Sequence, residues 1–286
     1  MSITFIILLV LICQVWLLSY FYPKQVVKRI NYVLTHCPEN DYPKLYFVSS
    51  ERIITIKHTY QILNYVLIFI GLGLIFYFSF IVSDYNKYIN ILDDLPLLFG
   101  IAQFVPLFIL EILGYKHLKL MRQQQTQTTR KAELQPRHLF NFIPRYQVIL
   151  AVLTYVSFII YELVISNFTL NTDAVIKIGT VTMVNIMFTA IGMANLYGKK
   201  RDPYQENNER NKQTKFVLQS LLFISIFMTI YLMVHSWVNM YELNYVEVLI
   251  DSLYFQILAL FSIGALIGRN KIDDMNFDVY KADSIV

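Results

Sequence analysis

Residues 62–82 read ILNYVLIFIGLGLIFYFSFIV. Twenty-one residues pass without one Asp, Glu, Lys or Arg. A hydrocarbon layer about 30 Å thick is crossed by roughly 20 apolar residues in helical form. The stretch therefore reads as a membrane-spanning helix. Six more stretches come close to the same standard: Ile3–Tyr22, Leu95–Gly114, Tyr146–Ser166, Ile176–Tyr197, Phe216–His235 and Tyr245–Gly268. Charges interrupt them rarely. Glu111 lies in the third span, Glu162 in the fourth, Lys177 at the start of the fifth, and Glu247 and Asp251 near the start of the seventh.

Composition agrees with this reading. Of 286 residues, 56% are hydrophobic and 15% charged, and mean hydropathy is +0.47. Soluble domains carry about 25% charged residues. An ordinary soluble enzyme is excluded on that deficit. Disorder is excluded because disordered chains are poor in apolar residues. Two cysteines, Cys13 and Cys37, give neither a disulfide framework nor a multi-cysteine zinc site.

The first span invites comparison with a cleaved signal peptide. Such a peptide has a basic start and a core of about 7–15 apolar residues. Here no cation precedes the run, and it ends in Tyr20-Phe21-Tyr22-Pro23-Lys24. That ending reads as an aromatic belt, a helix stop and a cation. The expectation is a retained helix.

The cations set the direction. The segments after spans one, three, five and seven hold 22 of the 24 Lys and Arg, leaving only Lys87 and Lys177 elsewhere. Those segments are 23–61, 115–145, 198–215 and 269–286. The positive-inside rule assigns them to the cytoplasm, with the N-terminus outside and the C-terminus inside. That arrangement needs an odd number of spans. The expected fold is therefore all-α: one polytopic membrane domain with seven transmembrane helices.

Spans two to seven also pair as three hairpins. Each first helix ends near a serine (Ser83, Ser166, Ser236), and each second near a glycine followed by cations (Gly114, Gly198, Gly268). The serine-to-glycine spacings, 114−83, 166 to 198 and 236 to 268, are 31, 32 and 32. A mid-helix amide recurs in each: Gln103, Asn185 and Gln256. Descent from one duplicated unit gives this pattern. So does any set of helix hairpins crossing one bilayer. The amides are expected to hydrogen-bond between helices, for roughly 0.6–2 kcal/mol each.

The soluble pieces are short. Lys24–Thr35 carries Val26, Val27, Ile30, Val33 and Leu34 among cations, which suits an interfacial amphipathic helix or a polar loop. The stretch Gln123–Thr129 is low-complexity and polar. None of these segments can hold a catalytic domain of about 100 residues. The cations flank membrane helices, so lipid and topology account for them and nucleic acid does not.

Ionisable groups within spans are functional candidates. Glu162, His235, Glu247 and Asp251, with Asp84 just past span two, are expected near the outer ends. They form an acidic vestibule for a proton or ligand, or they reach interfacial water. Glu111 is expected near the inner end of span three, beside Pro96 and Pro106, where a kink is expected. No phosphate loop, nucleophile elbow or H-E-x-x-H helix occurs. No catalytic residue, metal site or cofactor follows from the sequence. Span seven has no lysine for a retinal Schiff base. The plan resembles G-protein-coupled receptors in topology only, since no Asp-Arg-Tyr follows span three and no Asn-Pro-x-x-Tyr ends span seven.

The leading expectation is a membrane sensor or interaction protein that meets a cytoplasmic protein partner through its basic segments. A small-solute or proton-coupled transporter using the intramembrane carboxylates is the alternative. An enzyme ranks last. The membrane is expected to be the plasma membrane or a bacterial inner membrane.

Charge sorting sharpens the topology. The basic side holds 22 cations and 11 acids, a surplus of eleven. Spans and outer loops hold two cations and nine acids, a deficit of seven. Reporters fused after Val286 and within residues 84–94 should report opposite sides of the membrane. Both on one side would overturn the seven-span plan.

Overall fold

A computed structural model describes residues 3–81, 95–124, 137–200, 202–241, 243–269, 272 and 275–282. Asp84, Lys87 and most of the low-complexity stretch (125–129) lie outside them. The fold is all-helical, with 85% helix and no strand among the described residues. The helices are α1 (Ile3–Gln14), α2 (Tyr22–His36), α3 (Ser50–Ile81), α4 (Leu95–Gln124) and α5 (Arg145–Ile165). They continue with α6 (Thr172–Tyr197), α7 (Asn207–Met240), α8 (Asn244–Ala259) and the short α9 (Ala265–Arg269). Seven helical stretches are long and apolar enough to cross a membrane.

Several helices exceed the spans read from hydropathy. The 34 residues of α7 extend about 51 Å, well beyond a hydrocarbon layer of about 30 Å. Its polar first turns, Asn207–Lys215, continue the apolar part as helix. Hydropathy marks where lipid begins, whereas the backbone hydrogen-bond ladder has no reason to stop there.

Pro23 was expected to stop the first helix, and it does not. The chain runs helically from Ile3 to His36 through a π-wound segment, Val15–Phe21. There the Tyr22 N–H bonds the Leu17 carbonyl, five residues back. Wider winding just before the proline shifts the ladder, so the missing N–H and the ring are absorbed. Lys24–Thr35 is therefore helical and continuous with span one. Span seven has a second π segment, Leu260–Gly264.

The helices form two compact units. The first holds α1–α4, residues 202–206, α8, α9 and the tail. Span one is its hub: Ile7 and Leu11 meet Phe78 and Val248, Val15 meets Leu67 and Phe99, and Leu18 and Tyr22 meet Phe255, Ala259 and Ile263. Two glycines set the spacing. A Cβ on Gly71 would lie 2.6 Å from Val15, and one on Gly100 would lie 2.1 Å from the Phe255 ring. Such close approach is how membrane helices gain packing without a hydrophobic drive.

The second unit holds α5, α6 and α7, with residues 137–144 leading in. Its apolar centre is Ile143, Leu196 and Leu218. The last carbonyls of α6 are covered by arginines: Arg210 Nη2 donates to Gly198 O at 2.6 Å, and Arg137 Nη1 to Leu196 O at 3.4 Å. Cations there also suit the helix dipole. Of the three hairpins outlined by sequence, the last divides between units, with α7 in one and α8 in the other.

A tight turn joins α5 to α6. Asn167 (φ 52°) and Phe168 (φ 56°) are both left-handed. Asn tolerates this conformation; a bulky residue does so at a cost of about 1–2 kcal/mol. Asn171 then caps α6, accepting from Ala174 N at 2.8 Å. Phe168 is 73% exposed. Phe168→Gly should therefore raise unfolding stability in detergent by about 1 kcal/mol. A lower melting temperature would show that the ring, not the backbone, governs this turn.

Candidate functional site

Three polar assemblies stand out. The first is a charged knot in the second unit. Glu162, on the last turn of α5, is 2% exposed. Ser236 on α7 donates to Glu162 Oε1 at 2.8 Å. Lys177 on α6 donates to Ser236 Oγ at 3.0 Å, and its ammonium lies 3.7 Å from Glu162 Oε2. One acid, one cation and one hydroxyl thus tie three helices together. The lysine is the partner that sequence reading did not pair with Glu162. Its signal was available: it is one of only two cations off the basic side. His235 lies beside Ser236 in the chain, its ring 5.6 Å from Tyr231.

The second assembly lies in the first unit. Gln14 Nε2 donates to Gln103 Oε1 at 2.8 Å, and Gln103 Nε2 donates to Ser19 Oγ at 2.9 Å. All three residues are buried. From span seven, Gln256 Nε2 donates to the Val10 carbonyl at 3.0 Å, and the Ser252 hydroxyl donates to it at 3.5 Å. Asp251, 1% exposed, precedes Ser252. Glu247 is half-buried one turn earlier. Gln14, Ser19 and Ser252 were not singled out from sequence, because single hydroxyls and amides are common in spans.

Among the amides, Asn185 accepts from the Ser225 hydroxyl of α7. Glu111 is exposed on α4 and belongs to none of these groups. Glu162 and His235 lie in the second unit, Glu247 and Asp251 in the first. Among the described residues, no group of three or more His, Cys, Asp or Glu side chains is placed to hold a metal ion.

The third assembly is built outside the spans, from stretches on the basic side. The loop after α2, residues 202–206 and the tail converge. Tyr280, 9% exposed, donates its phenol to Asp202 and packs edge-on against Tyr204, centroids 6.2 Å apart. Asn276 donates to Glu206 at 2.6 Å. The Lys44 ammonium lies 5.7 Å from the Tyr204 ring centre, and that of Lys281 5.6 Å from Tyr42. Below them Cys37 is 2% exposed, with its carbonyl accepting from Tyr46 at 2.7 Å. Burial raises the Cys37 thiol pKa and Asp278 adds to the rise, while Lys281 opposes it. The group stays a thiol at neutral pH. Burial also raises the Tyr46 phenol, with Cys37 and Glu39 adding to it.

Seven helices long and apolar enough to span a membrane, with polar groups buried among the helices, fit a multi-pass helical membrane protein. No protein-family model, curated protein or solved structure matches the chain. Its role is therefore argued from the chemistry of these assemblies.

The charged knot gives a measurable expectation. Lys177→Met leaves a buried carboxylate short of its cation and should cost about 1–3 kcal/mol of stability in detergent. Adding Glu162→Gln should recover most of the loss, because the amide still accepts from Ser236. Strictly additive losses would refute the pairing.

Proposed function

We propose that the protein is a membrane sensor or interaction protein that presents its basic-side assembly to a cytoplasmic protein partner. The observation that carries this reading is the docking of the tail through Tyr280 onto Asp202 and Tyr204. Three stretches distant in sequence condense there into one surface. A chain that merely needed to connect helices could leave them as separate loops.

The connectivity supports the same reading. Residues 202–206 belong to the first unit, while α6 and α7 on either side belong to the second. Residues 202–206 therefore join α6 to α7 along the chain while belonging to the surface that holds the tail. In this reading the N-terminus is outside, the C-terminus is cytoplasmic, and the membrane is a plasma or bacterial inner membrane.

Transport through the buried carboxylates is the second reading. It draws support from Asp251, 1% exposed beside the hydroxyl and amide network. Against it, Glu162 is already matched by Lys177 and Ser236. A matched charge is a poor binder of further cations.

Photo-crosslinking separates the two. A photoreactive residue at Met275, 39% exposed at the rim of the assembly, is introduced in the full chain in native membranes. A discrete protein adduct is expected, lost when Tyr280→Ala undocks the tail. No adduct, or the same adduct in Tyr280→Ala, would refute the proposed partner surface. Changed solute uptake or pH dependence in vesicles with Asp251→Asn would favour transport instead.

A further inference from the structure

The first unit contains an open cavity of about 230 Å³ between the end of span one and α3. Its polar walls carry one cation, Lys24, two amides, Gln61 and Asn64, and three hydroxyls, Ser19, Tyr20 and Tyr65. No acid lines it. The cavity lies where the aromatic end of span one meets the basic segment that follows.

Several polar groups here are committed. Asn64 Nδ2 donates to the Tyr60 carbonyl at 2.7 Å, and Ser19 Oγ accepts from Gln103. Lys57, one turn before Gln61 on α3, donates to Asn31 Oδ1 at 3.0 Å and so ties α3 to α2. Lys24 is different. It is exposed, and among the described residues its contacts are with Tyr20, whose hydroxyl lies 3.4 Å and whose ring centre lies 5.3 Å from its ammonium. An ammonium carries three donors and no acceptor, so most of its capacity remains for a ligand oxygen. Gln61 and Tyr65 line the same cavity from α3. One turn further into each span, Trp16 and Phe69 are exposed apolar side chains.

We propose that this cavity binds the phosphate of an anionic phospholipid headgroup, with Lys24 donating to its oxygens and the acyl chains running along the exposed faces of spans one and two. A bond from an ammonium to a phosphate oxygen is charge-assisted and among the stronger kinds. Basic pockets between helices on the cytoplasmic side are the general form of a headgroup site. Tyr20 and Tyr65 suit the depth at which headgroups lie. Trp16 and Phe69 offer surface that a lipid chain can use and a free phosphate cannot. The site stands independently of the partner surface proposed above.

The experiment uses the full-length protein in phosphatidylcholine nanodiscs containing a trace of phosphatidylglycerol with a diazirine on its acyl chain. Adducts should map to residues 16–27 and 61–69. Unlabelled phosphatidylglycerol should compete about fivefold better than added phosphatidylcholine, the difference expected of one cation near an anionic headgroup. Glycerol phosphate in the buffer should not compete. Lys24→Gln should lower labelling about fivefold and Lys24→Arg should retain it, whereas Lys119→Gln, removing an exposed cation of α4, should leave it unchanged. Equal competition by the two lipids in the unaltered protein would overturn the proposal, leaving only unselective lipid contact. Equal labelling of Lys24→Gln, or adducts scattered over lipid-facing positions such as Phe108 and Ile149, would also overturn it. Efficient competition by glycerol phosphate would assign the cavity to a soluble phosphate and refute the lipid. The ratio between the two lipids needs no variant, so a misfolded variant leaves the test intact.

Discussion

A polar group inside hydrocarbon has no water to turn to, so it must find its partner within the protein. Helices meet this demand for the backbone. The side chains that break the apolar surface meet it by reaching across to a neighbour. Gln14 finds Gln103, Gln256 finds the Val10 carbonyl, and Glu162 finds Ser236 and Lys177. Each such bond also fixes register between two helices, which apolar packing alone leaves loosely defined. Hydrogen bonds of this kind contribute about 0.6–2 kcal/mol each, and their directionality adds specificity.

The two π segments share this logic. π-turns tend to mark functional sites because they disturb the regular ladder. In span one the disturbance lets a helix pass through Pro23. In span seven the following residue, Ala265, bonds both the Leu260 and Ser262 carbonyls, and the Ser262 hydroxyl covers the Leu258 carbonyl at 2.6 Å. The two meet where Tyr22 presses on Gly264, a Cβ on which would lie 2.6 Å from the phenol oxygen. Span one is therefore a structural centre of its unit.

Hydropathy made the seven helices legible, because the bilayer imposes one length and one composition on every span. Contact partners were not legible. The hairpin pattern set the helices of Glu162 and Lys177 side by side, but nothing in it said that Ser236, from the next hairpin, would join them. Span one packs against span seven, its most distant counterpart along the chain. Pro23 was misread because a proline's effect depends on the winding before it. The aromatic cluster around Tyr280 had no periodicity to reveal it, being assembled from three irregular stretches.

The first unit is discontinuous along the chain, and this has a consequence for biogenesis. Its early helices enter the membrane before α5–α7 are made, whereas α8 comes after them. Synthesis proceeds at about 5–20 residues per second, so the early spans wait on the order of ten seconds for their last neighbour. Throughout that interval the Val10 carbonyl lacks the amide of Gln256, 246 residues away. The second unit, continuous apart from residues 201–206, has all its helices first. The unit begun first is thus completed last, and the half-built first unit is where insertion factors or early degradation would act.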